Sequence, residues 1–213
     1  MKTEAVPRYV SPLRQRQAAE TRRHILEAVA ELLEESPEAA LSFDAIARRA
    51  GVERRTVFRH FTNREGLLDA FWTWINAEAG VRNFPQTERD LSELPPVTFA
   101  GFDRVEGVIR ASLSSAAGRE LRLRQNPACQ AAIERVTADA VAGASPGRAR
   151  QLRAVVQLLY SAAAWQSMKD YWGLSGAEAG RASTWAIETL LAAVRREAGR
   201  EPGIKDESDG ETR

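Results

Sequence analysis

The sequence predicts an all-α protein, and three observations favour that fold class. Apolar residues recur at the i, i+3, i+4, i+7 spacing of a single helix face over most of the chain. The alternation of Val, Ile and Thr that is typical of strands is nearly absent, and Gly and Pro cluster at a few points that mark breaks between helices. Because 44% of the 213 residues are hydrophobic, we expect a globular chain with a sizeable core.

The N-terminal residues 1–16 are predicted to form a flexible basic arm, because Pro7 and Pro12 interrupt regular structure. A first helix is predicted at residues 17–35, with an apolar stripe of Ile25, Ala28, Val29, Leu32 and Leu33. Arg22 and Arg23 lie near its start, where cations oppose the helix dipole. A contact with phosphate would account for their position.

Residues 42–61, SFDAIARRAGVERRTVFRHF, predict two short helices joined by a tight turn. Ser42 can cap the first helix through its hydroxyl, and Gly51 can take the left-handed conformation that ends it. The second helix is predicted at residues 54–60, with Val57 on its buried side. A helix-turn-helix reader of the DNA major groove presents a second helix of this kind.

The charge of this stretch separates it from the rest of the chain. Residues 42–64 contain six Arg and two acids, a net charge of +4 in a chain whose total is +1. Basic charge concentrated on one short element is typical of phosphate binding, although a helical hairpin with a solvated basic face is the alternative. The outward positions of the second helix are Arg54, Arg55, Thr56, Phe58, Arg59 and His60.

Residues 14–74 resemble the N-terminal DNA-binding domain of tetracycline-repressor-type (TetR family) transcriptional regulators. The matching runs are TRRHILEAVAELLEE, LSFDAIARRAGVERRTVFRHF and TNREGLLDAF. The family often has Tyr at the position of Phe58 and Lys at that of Arg64. The resemblance implies DNA contacts by Phe58, His60 and Arg64, while Arg54 and Arg55 are the best candidates for gripping guanine through their forked donors. The candidate DNA-binding residues are Arg22, Arg23, Ser42, Phe43, Arg54, Arg55, Thr56, Phe58, Arg59, His60 and Arg64. In the arm, Arg8, Arg14 and Arg16 could reach a DNA backbone or minor groove, and a solvated tail explains them equally well.

A fourth helix is predicted to open with a capping box at Thr62 and Glu65 and to end near Gly80, where we place a domain boundary. Residues 83–96 are polar and rich in Pro, and they predict a connection. The next predicted elements are a helix opened by Asp103 and Glu106 that ends at Gly118, a short basic helix at residues 119–125, and a helix opened by Asn126-Pro127 that ends at Gly143.

Two long helices are predicted to close the fold. The first runs from Ser145-Pro146 to Trp172 and is stopped by Gly173; the second is opened by a capping box at Ser175 and Glu178. The predicted domains are therefore residues 17–80, a helix-turn-helix DNA-binding domain, and residues 81–198, a helical ligand-binding and dimerisation domain, followed by a disordered tail at 199–213.

The resemblance implies a homodimer built through the last two helices, which would read a palindromic operator on double-stranded DNA. It also implies a small-molecule effector in the second domain, where an apolar or aromatic ligand would release the repressor from DNA. The candidate wall residues are Phe99, Phe102, Ile109, Leu113, Ile133, Tyr160, Trp165 and Met168, although most of them taken singly are explained by plain core.

The sequence carries no constellation for catalysis, and we expect neither an enzyme, nor a cofactor, nor a metal site. The only histidines, His24 and His60, have no ligand-type neighbours at helical spacing, and Cys129 has no partnering His. No apolar run approaches the roughly 18 residues of a membrane span, and no signal peptide is evident, so a soluble, cytoplasmic protein is expected. The alternatives to a regulator are a helical adaptor that binds a protein partner and an architectural DNA-binding protein without a ligand.

Overall fold

The computed structural model describes residues 11–81 and 84–199, and these contain helices and no strand. The all-α prediction is therefore confirmed. The helices are α1 (Pro12–Glu35), α2 (Phe43–Arg49), α3 (Arg54–His60), α4 (Arg64–Ala79), α5 (Asp90–Arg104), α6 (Glu106–Ser114), α7 (Ala116–Val136), α8 (Pro146–Leu159), α9 (Ala162–Trp172) and α10 (Gly176–Glu197).

Helix α1 begins earlier than predicted. Residues 12–16 were assigned to a flexible arm but are helical, because Pro12 occupies the first helical position, where a missing N–H costs no hydrogen bond. Residues 1–10 of the predicted arm, with Arg8, lie outside the described residues, as does the predicted tail beyond Gly199.

The described residues divide into two compact units. The first extends to Ile75 and includes Arg110–Leu121; the second comprises Asn76–Ile109 and the described residues from Arg122 onward. The inclusion of residues 110–121 in the first unit has no counterpart in the local sequence signals, and the predicted boundary near residue 80 stays a prediction.

Helix α4 is capped by a residue other than the predicted one. The side-chain oxygen of Asn63 accepts a hydrogen bond from the backbone N–H of Gly66 at 2.8 Å. The prediction of a Thr62 and Glu65 box was therefore one residue out of register, because Asn and Thr are both competent N-caps and the sequence presents them side by side.

Helix α5 replaces the second half of the predicted connection, with Pro95 and Pro96 inside it. Proline removes a backbone donor, so the carbonyl of Ser92 lacks its usual partner four residues on. The hydroxyl of Thr184 in α10 donates to that carbonyl instead, at 2.7 Å. Gly180 allows the approach, since a Cβ there would lie 2.3 Å from the Cα of Pro96. Packing against α10 thus accommodates a helix that its own sequence disfavours.

The middle of the chain also departs from the predicted breaks. Helix α5 ends at Arg104 and α6 begins at Glu106, while Gly118 and Pro127 both lie inside α7 rather than ending or opening helices. The predicted short basic helix at 119–125 is part of the same continuous α7. This helix ends at Val136, and turns follow to Gly143.

The long eighth helix of the prediction is two helices. Ser161 separates α8 from α9: its hydroxyl donates to the carbonyl of Leu158 at 2.7 Å and accepts from the N–H of Ala164 at 3.3 Å. The predicted stop at Gly173 is confirmed by its φ of +67°. The capping box of Ser175 and Glu178 at the start of α10 is also confirmed.

Candidate nucleic-acid interface

The turn between α2 and α3 follows the predicted geometry. Gly51 has a φ of +64°, which places it in the left-handed region that glycine adopts at helix ends. The N–H of Val52 donates to the carbonyl of Ala47 at 3.0 Å, and this bond closes the turn. The side chain of Ser42 accepts from the N–H of Ala45 at 3.2 Å, so its hydroxyl caps α2.

Helix α3 is anchored on one side and exposed on the other. Val57 and Ile46 are fully buried, and Phe61 is almost completely so. The opposite side carries Arg55, whose side chain is 82% exposed, and Arg59, one helical turn further on. The apolar contacts therefore fix the helix while the two cations remain exposed to solvent, Arg55 with its Nε 2.7 Å from a carboxylate oxygen of the exposed Glu53.

An aromatic pair connects the first residue of α2 with the second turn of α3. The rings of Phe43 and Phe58 lie 4.6 Å apart between centroids, at 52° to each other. The guanidinium of Arg54 lies 5.3 Å from the centroid of the Phe58 ring, and its Nε is 3.4 Å from a carboxylate oxygen of Asp44. This pair orients the Arg54 side chain at the N-terminal end of α3.

Arg22 contacts the C-terminal end of α3. Its guanidinium donates to the carbonyl of His60 at 3.2 Å and lies 4.4 Å from the centroid of the Phe61 ring. A cation at a helix C-terminus stabilises the unpaired carbonyls there. Arg23, its neighbour, instead pairs with Glu27 on the exposed surface of α1.

An open groove of about 710 Å³ lies between the first turns of α1 and the end of α3. Within it, the Nε2 atom of His60 is buried and has no hydrogen-bond partner. Burial, followed by the positive charges of Arg59 and Arg22, lowers the pKa of His60 below its ordinary value. The groove is lined by Arg14, Gln17, Ala18, Glu20, Thr21, His24, Arg59 and His60.

Two arginines of the basic stretch bind partners that are distant along the chain. Arg49 pairs with Glu31 and Glu35 of α1. Arg64 donates from Nη1 to the carbonyl of Leu41 at 2.5 Å and from Nε to Glu120 at 3.0 Å. Neither engagement follows from the local sequence, because the partners are 14 to 56 residues away along the chain.

Arg48 was absent from the predicted site residues, although it lies in the same stretch. It occupies the exposed last turn of α2. Arg48 and Arg59 have no acidic partner among the residues that the structure describes. The net charge of residues 42–64 was the signal that could have identified Arg48, since it counts this residue with the others.

The predicted ligand-wall residues do not form one group. Phe102 packs against Phe99 and Trp165, with both centroid distances at 5.8 Å. Ile133 is buried and Tyr160 half-buried in another cluster, built with Val156 and Ile187. Ile109 and Met168 belong to the second unit as well, whereas Leu113 belongs to the first.

Asp103 connects three helices beside the aromatic group. It accepts hydrogen bonds from the indole N–H of Trp165 at 3.0 Å, from Lys169 at 2.9 Å and from the backbone N–H of Gly176 at 2.7 Å. Burial acts to raise the pKa of Asp103, but these bonds, led by that of Lys169, lower it overall. Lys169 also pairs with Glu106 at 3.0 Å.

Within residues 11–81 and 84–199, no group of three or more His, Cys, Asp or Glu side chains has the arrangement of a metal site. No helix among these residues is long and apolar enough to span a membrane.

Comparison with known proteins identifies one part of the chain. Residues 25–71 match the model of bacterial regulatory proteins of the tetR family. No curated protein matches the chain. A crystal structure of a TetR variant from Acinetobacter baumannii AYE in complex with minocycline is similar at 20% identity, over 89% of this chain and 99% of that one, with a TM-score of 0.43.

Proposed function

We propose that this chain, whose residues 25–71 match the model of bacterial regulatory proteins of the tetR family, acts as a dimeric, sequence-specific transcriptional repressor. Each copy places α3 in the major groove of a palindromic operator, and a small apolar or aromatic ligand releases the dimer.

The exposed cationic face of α3 is the observation that carries this proposal. Arg55 and Arg59 lie one turn apart on a helix whose other side is buried, and Arg54 is oriented by Phe58 at the end that enters the groove first. Arginine binds guanine in two places at once, and exposed cations bind phosphates without regard to sequence. Arg55 and Arg54 are therefore assigned to base edges, and Arg48, Arg59 and Arg23 to the backbone.

Exposed apolar side chains on α8 and α10 support dimerisation. Trp185 of α10 is 72% exposed, and Val155 and Leu158 of α8 are exposed as well. The two helices pack against each other within the second unit. A second copy of the chain would bury this apolar surface. A dimer would also bind DNA with higher affinity and specificity, because its two copies of α3 contact half-sites one or more turns of DNA apart.

The proposed ligand lies beside Phe102 and Trp165, where aromatic rings and the polar node at Asp103 are adjacent. Such a combination suits a ligand with an aromatic body and one polar group. Titration with the fluorescent aromatic probe anilinonaphthalene sulfonate should show saturable binding at one site per chain.

Selection from a pool of random duplexes by the full-length protein tests the DNA-binding proposal. We expect an inverted repeat whose half-sites lie about 34–36 Å apart or at a multiple of that distance. Affinity for the selected duplex should fall steeply as salt rises, because bound phosphates release counterions. Failure to enrich any sequence would refute the proposal.

Single substitutions test DNA binding and dimerisation separately. Arg55→Ala should lose about 1–3 kcal/mol on the selected duplex and relax the choice of base at one position, whereas the exposed Arg150→Ala on α8 should change neither. Trp185→Arg should shift the protein from dimer to monomer in sedimentation velocity. The control is Leu123→Arg, which places the same charge at an exposed leucine of α7 and should leave the dimer intact.

A further inference from the structure

We propose that Arg64 is a positioning residue for DNA recognition: it joins the entrance of α2 to the corner between α6 and α7, and it does not contact phosphate. This inference rests on the proposed DNA-binding function and concerns how the chain orients its reading helices.

The two bonds of Arg64 use different nitrogens and reach different parts of the first unit. Nη1 donates to the carbonyl of Leu41, the residue before the cap of α2, and Nε donates to the carboxylate of Glu120 in the second turn of α7. The Arg64 and Glu120 side chains are each 40% exposed. Two of the five donors of the guanidinium, its Nε and one on Nη1, are therefore committed within the protein.

The corner that Arg64 contacts is tightly packed. The side-chain oxygen of Ser115 accepts from the N–H of Gly118 at 3.1 Å and caps α7. A Cβ at Gly118 would lie 1.9 Å from the carbonyl oxygen of Ser112, so the chain turns here more closely than another residue would permit. Ala111, Ala117 and Leu121 are buried. Glu120 is therefore presented from a fixed backbone, and its carboxylate can define where Arg64 lies.

The entrance of α2 is the other fixed point. Leu41 is buried, and the next residue, Ser42, caps the helix. The position of Leu41 sets where α2 begins, and the closed turn at Gly51 carries α3 with it. Loss of either Arg64 bond should make the positions of α2 and α3 less fixed without removing a contact to DNA. Binding must then order these helices at a larger cost in conformational entropy, so affinity falls.

Four variants test the proposal on the duplex selected above: Arg64→Gln, Arg64→Lys, Glu120→Gln and the double variant Arg64→Gln/Glu120→Gln. We expect each single glutamine variant to weaken binding by roughly three- to tenfold, as for the loss of one charge-assisted bond. Arg64→Lys should also weaken it, because a single ammonium cannot reproduce both bonds of the guanidinium. The double variant should be weaker by less than the product of the two single effects, because the residues share one interaction.

The slope of affinity against salt separates positioning from phosphate contact. If Arg64 positions the reader, the slope of Arg64→Gln equals that of the unsubstituted protein; a lost phosphate contact lowers it by about one. A lower slope for Arg64→Gln, unchanged affinity in Arg64→Lys, or tighter binding by Glu120→Gln beyond that of the charge-matched Glu134→Gln would each overturn the proposal.

Folding and function are monitored separately. Arg150→Gln controls for the loss of one exposed arginine, and thermal unfolding confirms that each variant is folded at the temperature of the assay. Were the unsubstituted protein to select no duplex, the proposed function would fail before Arg64 is tested. Selection of a duplex followed by wild-type affinity in all four variants would reject the role of Arg64 alone.

Discussion

The helix-turn-helix of α2 and α3 and the seam between α5 and α10 depend on different kinds of interaction: local ones in the first, and contacts between distant residues in the second. In the helix-turn-helix, both boundaries of α2 have a local cause: Ser42 caps α2, and Gly51 ends it. In the seam, α5 contains two prolines, and its existence depends on residues about ninety positions later in the chain. Local signals therefore determine where α2 begins and ends, whereas a tertiary contact stabilises the residues of α5 as a helix.

Gly180→Ala should have the largest effect and would break the seam. Its methyl group would lie 2.3 Å from the Cα of Pro96, a backbone atom that cannot move without shifting α5. We expect a loss of about 3 kcal/mol or more in the free energy of unfolding, measured by urea denaturation. Gly147→Ala is the matched control, since nothing lies within 4 Å of the Cβ it would add. Equal stabilities of the two variants would contradict the tertiary dependence of α5.

Asp103→Asn should have the next largest effect, at about 1–3 kcal/mol, because Lys169 and the N–H of Gly176 would lose a charged acceptor. The pKa of Asp103 is lowered in the folded state, so its contribution is fully present above the ordinary value of 3.8 and disappears as pH falls through the lower, folded pKa. Urea denaturation at pH 7 and at about pH 3 should therefore show a smaller difference between variant and unsubstituted protein at the acidic pH. A difference that does not change with pH would contradict the charged state of Asp103.

Gly51→Ala tests whether Gly51 and Gly180 are required for different reasons. No atom lies within 4 Å of its added Cβ, so the only cost is the left-handed backbone, about 1–2 kcal/mol. Gly51→Asn should recover part of that loss, because Asn tolerates this conformation, while Gly180→Asn should recover none. Thermal unfolding of the four variants gives the comparison. Recovery at both positions would show that the two glycines serve the same purpose.

His60→Gln should have the smallest effect on the free energy of unfolding, and that effect should be seen only in how stability changes with pH. The folded pKa of His60 is lowered, so the neutral ring stabilises the fold above the ordinary value of 6.5, and this stability is lost as pH falls below 6.5 toward the folded pKa. The facing charges are Arg59 on α3 and Arg22, with Arg14, Glu20 and His24 also lining the groove on α1. The stability of the variant should decline less between about pH 7 and pH 5. An identical decline would assign the acid sensitivity to other groups.

The same contrast explains how much the sequence could predict. The fold class, the two reading helices, the stop at Gly173 and the capping box at Ser175 all followed from residues within a few positions of one another. The break at Ser161 and the continuity of α7 through Pro127 did not, because a Pro or Ser in a helical pattern has either outcome until packing decides it.

At the candidate site, residue types were easier to predict than their partners. The exposure of Arg55 follows from the position of Val57 on the other side of the same helix. The engagement of Arg64 with Glu120 could not be predicted, because nothing in either segment indicates that residues 110–121 pack in the first unit.

The hydrogen bond from the Thr184 hydroxyl to the Ser92 carbonyl cannot form until both segments of the chain have been synthesised. The two residues are 92 positions apart. At a translation rate of about 5–20 residues per second, Ser92 leaves the ribosome roughly 5–18 s before Thr184 does. During that interval the nascent chain has the residues of α5 without the contact that stabilises them as a helix, so this segment is an expected binding region for chaperones.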